Sequence, residues 1–118
     1  MLTTAEFIFL IVRMLIIVVL MSYAIGMIFY LFIEIEMTIM HEAHPTADRE
    51  SIVNFNHVYE LHKNTDDRNT LIVLYYSLTT LSSVGFGDYS PETTPERCFV
   101  TAIFLLMLIV FSTIIDRL

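Results

Sequence analysis

Two long apolar runs frame the chain. Met14 to Ile33 is twenty residues without a charge, and Cys98 to Ile115 is eighteen. A helix needs roughly 20 apolar residues to cross a hydrocarbon core about 30 Å thick, so each run predicts a spanning helix. The first run extends back over Phe7 to Val12 through Arg13, a charge near enough to the helix end to snorkel to the interface. Thr3-x-x-Glu6 has the form of a capping box and predicts a helix start at about Thr3. A cleaved signal sequence is the rival reading of this run. Its length beyond the usual ~7–15 residues of a signal core, and the lack of a small-x-small site after it, argue against that. The second run ends at Asp116-Arg117-Leu118.

Between the runs the pattern changes twice. Residues 34–69 are polar and acidic, with Pro45 as the strong breaker. Within them Ser51 to His62 carries Ile52, Phe55, Val58, Tyr59 and Leu61 at near-helical spacing, which predicts a short amphipathic helix. Thr70 to Leu81 is apolar or hydroxylic throughout but only twelve residues long, too short to span. A run of that length at membrane depth predicts a re-entrant half-helix. Ser90-Pro91 and Thr94-Pro95 are turn signals leading into the second span. The organisation is therefore a first span with a short N-terminus (1–33), an acidic loop (34–69), a half-helix with the segment after it (70–97) and a second span (98–118). The fold class is an all-α membrane protein, and two spans put both termini on one side.

Composition narrows the function classes. Of 118 residues, 56% are hydrophobic and 16% charged, against about 25% charged in a soluble domain. A net charge of −7 disfavours nucleic acid as a partner. Cys98 is the sole cysteine, which excludes an intrachain disulfide and a thiolate zinc site. No nucleophile–base constellation points to an enzyme. Eleven of the thirteen acids lie between Glu34 and Arg97, a solvated face whose field raises the local cation concentration. His41, His44, His57 and His62 lie there too. The three-residue spacing of His41 and His44, and titration near neutrality, raise the reading of a proton or divalent-metal modulator. No closed ligand set is visible, and solvated loop histidines are the plainer reading.

The chemistry concentrates in Thr79-Thr80-Leu81-Ser82-Ser83-Val84-Gly85-Phe86-Gly87-Asp88. The chain has three glycines, and two of them are Gly85 and Gly87. Non-helical backbone at membrane depth is tolerated only where protein buries it or it lines a water-filled path. Glycine at alternate positions lets the chain take positive φ there. Alternating left- and right-handed backbone turns successive carbonyls to one side, and a row of carbonyls around an axis is a ligand set for a bare alkali cation. The half-helix adds the negative end of its dipole, which favours a cation.

Ser83-Val84-Gly85-Phe86-Gly87-Asp88 resembles the selectivity filter of potassium channels, written T-V-G-Y/F-G-D. The approach from Tyr75 and Tyr76 through Ser82 resembles that family's pore helix, and Ser90-Pro91, Thr94 and Arg97 resemble its filter-to-inner-helix stretch. The layout is similar to the minimal two-transmembrane pore-loop channels encoded by large viruses of algae. The resemblance implies two transmembrane helices flanking a re-entrant pore helix and filter, assembled as a homotetramer in a lipid bilayer. It implies a multi-pass protein with cytoplasmic termini and an extracellular acidic loop, passing K+ passively and needing no cofactor beyond the permeant ion. Ser83, Val84, Gly85 and Phe86 would offer backbone carbonyls to K+, with the Ser83 hydroxyl at the innermost site. Gly87 and Asp88 would shape the outer mouth, and Tyr75, Tyr76, Thr79 and Ser82 would support the filter.

The sequence departs from the pattern at four places. Ser83 replaces the usual threonine and loses the methyl that limits rotamers, which leaves a weakly selective cation channel as the alternative. Phe86 lacks the tyrosine hydroxyl. Thr79 stands where some members carry a glutamate partner for the aspartate, leaving Asp88's partner open. The second span has no glycine, so Ser112 or Thr113 is the candidate for an inner-helix bend. Phe99, Phe104 and Phe111 are candidates to line an inner cavity, with the helix phase open. Ser22, Ala24 and Gly26 allow close helix approach. A second alternative, of another class, is a non-conducting membrane adaptor whose acidic loop binds a partner.

Overall fold

A computed structural model describes residues 3–46, 53–63 and 65–117. In chain order these form α1 (Thr4–Ala43), α2 (Phe55–Val58), a 3-10 turn (Leu61–Lys63), α3 (Asp66–Leu81) and α4 (Thr94–Asp116). No strand occurs among the described residues. The fold is all-α, with two helices, α1 and α4, long and apolar enough to cross a membrane.

Helix α1 starts as its sequence predicts. The Thr3 hydroxyl accepts the Glu6 N–H while the Glu6 carboxylate accepts the Thr3 N–H, a reciprocal box that satisfies two orphan donors. The helix then runs 40 residues, about 60 Å at 1.5 Å per residue, and so outreaches a bilayer core. The apolar run ends at Ile33, but no Pro or Gly interrupts Glu34 to Ala43, so the helix continues until Pro45 forbids it. His44, which precedes that proline, is already out of the helical region at φ −130° and ψ 73°. The first ten residues of the expected acidic loop, Glu34 to Ala43, are thus a helical extension. The amphipathic helix expected over Ser51 to His62 is much shorter: α2 holds four residues, capped by the Asn54 side chain accepting the His57 N–H at 3.0 Å. Ser51 and Ile52 lie outside the described residues.

Helix α3 begins at Asp66, four residues before the apolar run, because Asp66 and Asp67 in its first turn complement the positive end of its dipole. Helix α4 likewise begins before Cys98. Thr93 and Glu96 form a second capping box, with Pro95 inside the first turn, where a missing N–H costs nothing.

The core lies where α1 crosses α3. The buried stripe of α1 is Ser22, Ile25, Gly26, Phe29, Ile33, Glu36 and Met37, spaced three or four apart as one helical face. Against it pack Ile72, Val73 and Tyr76 of α3, with Phe55 and Leu61 closing one end. Phe29 is the hub, with Phe55 edge-on at 5.1 Å and Tyr76 at 5.3 Å between ring centroids. Ser22 and Gly26 face this seam, whereas Ala24 is exposed on the other side of the helix. Phe99 of α4 stacks on Phe32 of α1 at 4.2 Å between ring centroids.

Gly26 sets the approach of the two helices. A Cβ there would sit 3.1 Å from both the Ser77 Oγ and a Val73 methyl, and 3.2 Å from the Val73 carbonyl. Gly26→Val therefore forces α1 off α3, at a cost of about 1–3 kcal/mol for overpacking. A fall in the thermal midpoint of the detergent-solubilised protein measures it, and an unchanged midpoint would refute this account of the seam.

Helix α4 is almost unpartnered within one chain. Leu105, Leu106, Leu108 and Ile109 are all more than half exposed, and Glu96 is its sole buried residue among those described.

Candidate functional site

The segment after α3 is built by the end of that helix. Its last carbonyls are taken by the turn that follows: Thr80 O accepts the Ser83 N–H at 3.0 Å, and Thr79 O accepts both the Val84 and Gly85 N–H groups at 3.0 Å. Three hydroxyls fold back on the same turn. Thr79 Oγ1 and Thr80 Oγ1 donate to Tyr76 O at 3.0 and 2.8 Å, and Ser82 Oγ donates to Leu78 O at 2.7 Å. The backbone amides of Val84 and Gly85 thus point back at the helix, which frees the segment's carbonyls from local pairing.

Beyond this turn the backbone alternates. Ser83 has φ 60°, Gly85 54° and Gly87 75°, while Val84, Phe86 and Asp88 between and after them do not take positive φ. Glycine adopts this region freely. Ser83 does not, and a left-handed L-residue costs roughly 1–2 kcal/mol. That strain at a non-glycine position was not legible in the sequence, where the two glycines alone marked the pattern. Residues 82–88 are exposed in the single chain, and a Cβ added at Gly85 or Gly87 would meet no atom within 4 Å. Among the described residues nothing covers this stretch.

Asp88, whose partner the sequence left open, lies beside Tyr75. Tyr75 and Asp88 line one surface pocket with Tyr89, and the Asp88 Oδ1 accepts the Tyr89 N–H at 3.2 Å. Tyr76, the other member of the aromatic pair, is buried in the core. The outer end is buttressed from a part of the chain that carried no functional expectation. Tyr59 packs on Phe55 at 4.5 Å and on Tyr89 at 4.7 Å between ring centroids, and its hydroxyl accepts the Ser90 N–H at 2.9 Å. The near-helical spacing of Phe55 and Tyr59 was the available signal, but it did not say what the aromatics would touch.

A second device missed at the sequence level ties α1, α2 and α4 together. Glu96 is fully buried. Its Oε1 accepts the Phe55 N–H at 2.9 Å, and its Oε2 accepts the Glu92 and Thr93 N–H groups at 2.8 and 3.0 Å. Thr93 in turn donates its hydroxyl to Glu36 Oε1 of α1 at 2.7 Å. The Thr93-x-x-Glu96 pattern was the signal in the sequence.

The remaining expected residues are scattered. His41 and His44 are exposed at the end of α1, and His57 is half-buried in α2. The His62 side chain lies outside the described residues. Among the described residues no group of three metal-ligating side chains forms. Helix α4 is continuous through Ser112 and Thr113, with Thr113 Oγ1 donating to Ile109 O at 2.8 Å.

Residues 49–118 match the family described as ion channel, more than half of the chain. The chain is similar over 41 residues, at 42% identity, to the voltage-gated delayed rectifier potassium channel KCNH1 of Rattus norvegicus, Bos taurus and Homo sapiens. That stretch is 35% of this chain and 4% of each of those relatives, so the chain spans a small part of their length. No solved structure matches the chain. Two apolar helices flank a half-helix whose end feeds a segment of alternating backbone hand, and the family match covers that segment: the chain belongs to the ion channel family, as a two-transmembrane pore-loop protein.

Proposed function

We propose that four copies of the chain form a potassium-selective channel, with the main chain of Ser83 to Gly87 as its filter. The observation that carries this reading is the positive φ at Ser83, Gly85 and Gly87, every second residue. Successive carbonyls then face one direction, and four such rows around an axis replace the water shell of a dehydrated K+ with neutral oxygens. Ser83, Val84, Gly85 and Phe86 supply the carbonyls, and Ser83 adds its hydroxyl at the inner end. The exposure of this segment and of α4 in one chain fits surfaces that copies of the chain and lipid cover. The C-terminal end of α3 aims its negative dipole end toward the axis, and the Tyr59–Ser90 hydrogen bond holds the outer mouth.

Conduction in this reading is passive, with K+ as permeant ion and no catalytic cycle. Both termini face the cytoplasm, and the acidic stretch carries a cation-attracting field on the outside. Protonation or divalent-metal binding at His41, His44, His57 and His62 belongs to the same reading as modulation of that outer face. A bend of α4 at Ser112 or Thr113 is its candidate gate.

Planar-bilayer recording of the purified chain under bi-ionic conditions tests the assignment. A reversal potential set by K+ over Na+, with a detergent mass of four chains, is the expected result. Equal permeabilities leave the weakly selective channel instead, and no current from a protein far from tetrameric mass leaves the adaptor. External Ba2+, close to K+ in size but doubly charged, is expected to lodge in the carbonyl ring and block the current. Recordings that stay unchanged at saturating Ba2+ would contradict a ring of that size.

A further inference from the structure

Glu36 and Glu96 are brought together at Thr93, with no cation paired to either among the described residues. Glu36 stands three residues past the apolar run, on the part of α1 that projects beyond it, and is 8% exposed; Glu96 is 0% exposed. Both carboxyl groups are bound to Thr93, whose hydroxyl donates to Glu36 Oε1 at 2.7 Å and whose N–H donates to Glu96 Oε2 at 3.0 Å. Both Glu96 oxygens are occupied by backbone N–H donors, and Glu36 Oε1 by the Thr93 hydroxyl. Glu36 Oε2 is buried with no partner. Two carboxylates are acceptors only. A buried acceptor pair of like charge lacks one thing, and a proton on Glu36 supplies it.

We propose that Glu36 and Glu96 form a proton-binding pair that clamps α1 to the start of α4 and so makes the outer mouth sensitive to external pH. The proton comes from external water and returns to it. Glu96 accepts throughout, since three N–H groups already point at it, and Glu36 is the member that gains and loses the proton. Bound, it removes the repulsion between two carboxylates. Released, it leaves two like charges side by side in a desolvated site.

The other charged or titratable groups near the pair do not supply the missing donor. On α1, Glu34 accepts from Asn56 Nδ2 at 2.8 Å. On α4, Arg97 directs its Nε to Pro91 O at 3.3 Å. Glu92, before α4, accepts the Ser90 hydroxyl at 3.4 Å. Tyr59 is committed to Ser90, and Tyr76 faces Glu96 from α3 as a neutral phenol. His57 lies in α2, whose first N–H binds Glu96, and is the control below. No Lys or Arg nitrogen forms an ion pair with either carboxyl among the described residues. Burial, countered in part by the Thr93 hydroxyl and reinforced by the Glu96 charge, raises the Glu36 carboxyl above its ordinary range. Because the raised form is the protonated one, the clamp is complete in acid and is lost as pH rises through that raised value.

The inference rests on the channel reading for its consequence in current, but the pair is read without current. Infrared difference spectra of the detergent-solubilised protein across pH are expected to show a protonated-carboxyl band surviving above the ordinary glutamate range and missing from Glu36→Gln. The thermal midpoint is expected to fall with rising pH in the wild type and to stay level in Glu36→Gln, whose amide does not titrate. In bilayers the sustained current is expected to drop as external pH rises, with Glu36→Gln fixed at the acid level and His57→Asn still dropping. A wild type lacking the band, a midpoint with the same pH slope in Glu36→Gln, or a pH step that follows His57 overturns the proposal. A wild type that conducts nothing at any pH defeats the channel reading instead, and the band and midpoint then decide the pair alone.

Discussion

Gly85→Ala is expected to abolish conduction while leaving the protein folded. Gly85 holds φ 54°, where an L side chain is disfavoured by roughly 1–2 kcal/mol. In the proposed assembly that cost repeats four times around one axis. The alternative open to the mutant is to relax φ to a negative value, which turns the residue's carbonyl away from the row and leaves a gap in the ligand set. The side chain itself meets no atom within 4 Å of its Cβ in the single chain, so the defect is one of backbone hand and not of space. The mutant should therefore match the wild type in thermal midpoint and detergent mass and differ only in current. Wild-type current from Gly85→Ala would remove the physical basis of the filter assignment.

Glu96→Ala is expected to have the opposite signature, with the fold damaged first. The mutation strips the acceptor from the N–H groups of Phe55, Glu92 and Thr93 at once. A buried donor left unpaired, as the Phe55 N–H would be, costs about 1–3 kcal/mol, and the half-buried Glu92 and Thr93 N–H groups add less, so the loss is a large share of the stability of a small domain. Phe55 then loses its tether while still sitting in the core beside Phe29 and Tyr76. The aromatic column that it carries through Tyr59 to Tyr89 goes with it. Thermal unfolding should move sharply downward, and Glu96→Gln, which keeps one accepting oxygen, should recover part of the loss. A midpoint indifferent to Glu96→Ala would mean that water replaces the carboxylate at no cost and that the loop is not held from α4.

The two predictions separate what the sequence could say from what it could not. Hydropathy counts the spans because crossing a hydrocarbon core requires a length of apolar chain, whatever its neighbours. The half-helix was visible for the same reason, being too short to span, and the Thr3-x-x-Glu6 box placed the start of α1 through contacts three residues apart. The segment Ser83 to Asp88 was visible as a pattern because glycine is scarce elsewhere and because φ at Gly85 and Gly87 is a property of those residues themselves.

What escaped was whatever depends on residues far apart in the chain. Tyr75 sharing a pocket with Asp88, Tyr59 accepting from Ser90, and Glu96 gathering amides from the loop beyond α1 all join positions whose spacing has no period. Helix ends also moved: α1 overran its apolar run because only Pro45 could stop it, and α4 began early on a cap that a hydropathy count does not register. Ser83 takes a left-handed backbone against its own preference, a choice made by the N–H groups after it docking on Thr79 O. Local chemistry and length were enough to find two helices able to cross a membrane and the glycine-bearing segment between them. Which side chains brace the segment after α3, and which buried carboxyl oxygen is left without a partner, arose only when packing brought distant residues together.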